Sequence, residues 1–307
     1  MTRWVPFLWL TVVVLVLLLG LARLSSAMVD DAGATAGRRS SPPPGEPTGS
    51  HVSTGDSSGS DPSCGDSSPS AVPQADEPPG DPAVGQPPGG DATAEPPRAG
   101  ADAEPLNLST GMLLANVALT QGLVGLAIAA GLWWFEIPGT AVGITADPWS
   151  FGLPAVLLGL GFGFALWLGN EVAAGLADAA GATYDEAVRS MLAPDTLGGW
   201  VVLLGLVLPT VAVVEELLFR AALIGVPAAA LGVSPWLLAG LSSVAFALGH
   251  GAQGRVGIVV TGVLGLVLAA GYVLSGSLLV VVVAHYVVNA MEFAVHEAVG
   301  ADRLLGA

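Results

Sequence analysis

The feature that most limits how this chain folds is a series of long apolar runs. Trp4 to Ala22 comes first, and six more follow from residue 107, near 109–135, 151–175, 198–225, 234–250, 255–274 and 277–297, parted by Gly, Pro or charged breaks. A run of about 20 apolar residues matches the hydrocarbon thickness of a bilayer, and inside that layer only helices or closed barrels satisfy every backbone N–H and C=O. The spacing therefore predicts an all-α fold, a polytopic membrane helix bundle of about six core transmembrane helices plus an N-terminal anchor helix. With 52% of its 307 residues hydrophobic and 11% charged, the chain reads as a multi-pass protein of the cell membrane. Glycines inside the runs, as in "LLGLGFGF" and "GVLGLVLAAG", let helix backbones approach where lipid supplies no hydrophobic drive to associate.

The runs frame three regions. Residues 1–27 form either an N-terminal transmembrane anchor or a signal peptide cut after Ala27, since Ser25 and Ala27 place small residues where a signal peptidase reads. Residues 28–106, with stretches such as "DEPPGDPAVGQPPGGD", hold almost no large apolar residues and predict a disordered acidic linker. Residues 107–300 are the membrane domain. Between its second and third runs, "DAAGATYDEAVRSMLAPD" is polar enough to lie at the interface as a short amphipathic helix.

Charge excludes one class of partner. The formal net charge is -16, all nine basic residues are Arg, and thirteen of the 25 acidic residues fall between Asp30 and Glu104. No basic patch exists to meet a phosphate backbone, so nucleic acid is not a partner. An acidic chain without Lys is what a high-salt cytoplasm and a GC-rich genome favour. Cys64 is the only cysteine and lies in the linker tract, which rules out a disulfide framework or cysteine metal site within one chain.

Ionisable groups inside apolar runs are expensive unless paired or used. The first such cluster is Glu215, Glu216 and Arg220 in "VEELLFR". Glu216 and Arg220 lie one helical turn apart and predict an ion pair, while Glu215 is rotated away and left over. The second is His250, one turn after Phe246 in "FALGH"; the third is "HYVVN", with His285 and Asn289 one turn apart. Glu292 and His296 continue that last face, and Asn170 with Glu171 sit near the end of another run. A desolvated carboxylate takes a proton from water, a neutral imidazole orients that water, and a second imidazole with an amide N–H stabilises an oxyanion. That is a hydrolase set without a Ser or Cys nucleophile. Equally, Glu215, His250 and His285 make a three-ligand set for Zn2+ with an open fourth position, although no HExxH spacing is present.

"EELLFR", "FALGH" and "HYVVN" resemble, in order, the EExxxR, FxxxH and HxxxN motifs of the CPBP family, which comprises type II CAAX-prenyl endopeptidases and bacteriocin-processing or self-immunity membrane proteins. Any one motif is weak; the ordered set, each on its own membrane helix, is specific. The resemblance covers roughly residues 110 to 300. It implies an intramembrane endopeptidase acting on a membrane-associated protein or peptide, including a prenylated CAAX-type tail, with Glu215 and His250 activating water. His285 and Asn289 match the oxyanion positions, and Glu216, Arg220 and Phe246 fill supporting ones. Members are often called metalloproteases, a name that leaves open whether Zn2+ takes part. The competing readings are a non-proteolytic scaffold or immunity factor with the same fold, and a proton-coupled transporter, which lacks an evident internal repeat.

Overall fold

The computed structural model describes residues 2–39, 109–179, 181, 187–251 and 254–298. Most of the tract expected to be disordered, Cys64 included, lies outside these residues. Every regular element among them is helical. The chain runs through α1 (Trp4–Arg39), α2 (Thr110–Trp134), a 3-10 turn (Gly139–Val142), α3 (Leu153–Ala179) and the short α4 (Ala187–Leu192). Then comes a continuous rod: α5 (Leu197–Val202), a π-helical turn (Leu203–Val207), α6 (Leu208–Glu216), a longer π-helical stretch (Leu217–Gly225) and α7 (Val226–Leu231). After it stand α8 (Pro235–Gly249), α9 (Gly254–Ser275) and α10 (Leu278–Phe293), the last extended by a π-helical turn (Ala294–Ala298).

Among the described residues, six helices are long and apolar enough to cross a membrane, the first being Trp4–Leu24, so the chain is a multi-pass membrane protein. α8, with 15 residues, is the exception among the expected core spans. At 1.5 Å per residue it covers only about 22 Å, short of a bilayer's roughly 30 Å of hydrocarbon. Pro235 starts it and the chain turns off at His250, so the break comes before a full span is complete. Within the polar stretch between the second and third runs, the described residues form one short helix, α4.

α1 is woven into the bundle. Phe7 is fully buried and joins the cluster of Ile128, Leu218, Phe219, Phe246 and Leu268. Its partner on α2 is Gly131, where a side chain would run into Leu10 and the Phe7 ring. The Arg3 N–H also donates to the Phe135 carbonyl at 2.9 Å.

The most extensive helix contact is between α3 and α10. The two begin side by side: the Ser277 hydroxyl caps α10 by accepting from Val280 N–H at 3.2 Å and donates to the Ser150 carbonyl at 2.7 Å. They run parallel, and glycines on α3 set how close they come. A Cβ at Gly159 would lie 2.7 Å from the Val280 carbonyl oxygen, and one at Gly163 would lie 2.6 Å from that of Ala284. Such approaches are closer than any methyl tolerates, so this seam requires glycine. It fixes the height of α10, which carries His285, Asn289 and Glu292.

The seam predicts a contrast between neighbours. Gly163→Ala is expected to lower stability by about 1–3 kcal/mol through overpacking. Gly161→Ala, with nothing within 4 Å of its added methyl, is expected to be neutral or slightly stabilising because Ala is the better helix former. Thermal unfolding of both variants in detergent checks this.

Candidate active site

The motif EELLFR falls where α6 gives way to the π-helical stretch. Glu216 is its last α-helical residue and Arg220 lies one turn on; both are buried, at 0% and 1% exposure. Arg220 Nη1 sits 3.0 Å from Glu216 Oε1, the ion pair that the sequence spacing predicts. Pairing alone does not satisfy a guanidinium with five N–H donors. Arg220 Nη2 donates to the Gly265 carbonyl of α9 at 3.1 Å, and Cζ lies 4.9 Å from the centre of the Phe246 ring on α8. One cation thus touches α6, α8 and α9. Glu215 faces another way and keeps 13% exposure, so it is reached from outside the core while Glu216 is not.

His285 on α10 closes the group. Its Nδ1 is 2.7 Å from Glu216 Oε1, and its Nε2 is 3.7 Å from Glu215 Oε2. A carboxylate oxygen accepts, so Nδ1 is the donor to Glu216 and Nε2 is left facing Glu215. His250 is fixed by the same logic. Its Nδ1 is 2.8 Å from the Phe246 carbonyl, also a pure acceptor, so its Nε2 is again the free position.

Phe246 lies among these groups. Its ring centre is 4.5 Å from that of His250 and 6.1 Å, edge-on, from that of His285. Phe219 meets it edge to face at 4.9 Å. A buried aromatic wall of this kind orients both imidazoles and lowers the local dielectric, which strengthens each polar contact inside. Asn289 is half-buried, one turn beyond His285.

The structure thus brings Glu215, Glu216, Arg220, Phe246 and His285 together, with His250 stacked on Phe246. It does not close Glu215, His250 and His285 around one point. Among the described residues, the ligand-type atoms that fall within 4.8 Å of one another belong instead to Glu171, Glu292 and His296. The zinc set read from sequence does not fit as arranged here. Sequence spacing paired Glu216 with Arg220 but did not reveal its bond to His285, because a contact between residues 69 positions apart leaves no periodic trace. A partial signal was present: two adjacent glutamates and only one nearby cation.

Comparison with known proteins places this constellation. Residues 197–291 match the family described as Rce1-like, type II CAAX prenyl endopeptidase. The match covers about a third of the chain and contains Glu215, Glu216, Arg220, Phe246, His250, His285 and Asn289. No curated protein and no solved structure matches the chain.

A test of the buried pair follows. Arg220→Met leaves the Glu216 charge buried and unpaired and is expected to cost about 3–5 kcal/mol. Arg220→Met combined with Glu216→Gln removes both charges and is expected to recover most of that loss, read as folded yield and thermal unfolding in detergent.

Proposed function

We propose, from the premise that residues 197–291 form an Rce1-like domain, that the protein is an intramembrane endopeptidase. It hydrolyses a peptide bond in a membrane-associated protein or peptide, and the family description points to a prenylated CAAX-type tail as the substrate class. The observation that carries this reading is the placement of His285 between two glutamates, with Nε2 3.7 Å from Glu215 Oε2.

That separation is too long for a direct hydrogen bond and suits a water oxygen about 2.8 Å from each atom. The water donates one hydrogen to Glu215 and the other to His285 Nε2. Glu215 takes its proton as the oxygen attacks the substrate carbonyl, and returns it to the amide nitrogen as the C–N bond breaks. Glu216 holds the His285 ring in the tautomer this requires, and Arg220 anchors Glu216. The Asn289 carboxamide, one turn along α10, supplies an N–H to the oxyanion of the tetrahedral intermediate. His250, its ring centre 4.5 Å from that of Phe246, serves through Nε2 as the second acceptor for a proton. The resemblance to CPBP proteins pairs His250 with the attacking water and His285 with the oxyanion; the hydrogen bond from His285 to Glu216 supports moving His285 to the side of Glu215. A catalytic set built of Glu, His and Asn needs no covalent enzyme intermediate.

Glu215→Gln is expected to reduce cleavage by on the order of 10²–10⁴-fold, the worth of a general base, while leaving insertion and thermal stability unchanged. The check is a comparison of membrane-protein termini in cells carrying wild type or Glu215→Gln at equal level. New termini present only with wild type support the reading and name the substrate; identical termini sink it.

A further inference from the structure

Resting on the hydrolase reading above, one requirement remains: water must reach Glu215, which lies among apolar helices with 13% of its side chain exposed. His285, Asn289, Glu292 and His296 fall at intervals of four, seven and eleven residues, so they share one face of α10 and its π-helical extension. Exposure rises along that face. The side chains of His285, Glu292 and His296 are 5%, 17% and 32% exposed, with Asn289 half-buried between the first two. The stripe therefore leads from the catalytic centre to the end of the span at Glu297.

Neighbouring helices complete the outer end with polar groups. On α3, Asn170 Nδ2 donates to Glu292 Oε1 at 2.7 Å, and Glu171 Oε1 lies 2.7 Å from His296 Nε2. On α4, Arg189 Nη1 reaches Glu292 Oε2 at 3.2 Å and Nε reaches Glu297 Oε1 at 2.9 Å. None of these outer residues is within the Rce1-like match, which ends at residue 291. Further in, several buried polar atoms have no hydrogen-bond partner: Glu216 Oε2, Arg220 Nε and, on α3 between Gly163 and Asn170, Trp167 Nε1. Orphaned polar atoms of this kind are costly unless water reaches them.

We propose that the polar face of α10, closed at its outer end by Asn170, Glu171 and Arg189, is the route by which water enters from the membrane surface to Glu215. The ion pairs act as a polar seal. They exclude lipid chains, yet they exchange with water whenever a pair opens, which an apolar seal would not do.

Thiol chemistry tests this without requiring peptidase activity, because methanethiosulfonates attack the thiolate and a thiolate forms only where water reaches it. Cys64→Ser gives a cysteine-free full chain, and Asn289→Cys places a reporter midway along the stripe. In permeabilised membranes, methanethiosulfonate ethylammonium is expected to label the reporter, and not an Ala269→Cys control at a site with 0% exposure. Adding Glu292→Leu is expected to slow labelling about tenfold, the change that roughly 1.4 kcal/mol of added barrier gives; Glu292→Gln, which stays polar, is expected to retain it. An unreactive reporter, or one that Glu292→Leu leaves unslowed, overturns the route. Labelling as expected, with a chain that keeps Asn289 and still cleaves nothing, leaves the water route standing and removes the endopeptidase reading alone.

Discussion

The ion pair between Glu216 and Arg220 is the constraint on which the rest of this bundle depends. Two opposite charges removed from water return little net stability, but either one left alone would cost several kcal/mol. Once the pair is buried, its surroundings are dictated. The guanidinium fork needs an acceptor and finds the Gly265 carbonyl; its flat face needs an aromatic neighbour and finds Phe246. The carboxylate needs a second donor and finds His285. Lysine could hold the charge but not this geometry, since an ammonium is a point donor and does not stack. A pair that contributes little to stability by itself thus fixes the relative positions of α6, α8, α9 and α10, and with them the tautomer of the imidazole next to Glu215.

The second constraint is backbone proximity. α3 contributes no residue to the centre around Glu215, but its glycines press it against α10 along Val280 and Ala284. Because the two helices run parallel, the same register that seats Gly163 on Ala284 brings Asn170 and Glu171 level with Glu292 and His296. A larger residue at either glycine would move the polar end of α3 away from the stripe on α10. Packing in the apolar half and ion pairing in the polar half are consequences of one alignment.

Much of this was legible in the sequence because the lipid environment leaves so few alternatives. Apolar runs of bilayer length give the helices, and ionisable residues inside them mark where chemistry or pairing must occur. The i, i+4 spacing of Glu216 and Arg220 carried their contact directly. What spacing could not carry were contacts between helices. His285 and Asn289 lie one turn apart and read as a pair, whereas the tightest bond of His285 is to a glutamate on α6. Three histidines and glutamates on separate helices read equally well as zinc ligands, and only their positions in space tell that set apart from Glu171, Glu292 and His296. Phe246 gave no sign in sequence that both imidazoles and a guanidinium would meet its ring.

On the proposed endopeptidase reading, the two polar centres divide the labour of the reaction. At the inner centre, low dielectric is useful: it strengthens the hydrogen bond between His285 and Glu216. At the outer centre the same dryness would be fatal, because a sealed apolar mouth starves the reaction of its second substrate. Residues of opposite sign, satisfied by one another at rest, reconcile the demands. Arg189 holds both Glu292 and Glu297, and His296 lies 2.7 Å from Glu171 and 3.7 Å from Glu292, so each contact that opens has a polar neighbour to replace it. The inner centre coincides with the Rce1-like match and the outer one falls beyond it, as expected if the chemistry tolerates little change while access to it is free to be built from whatever polar residues the flanking helices offer.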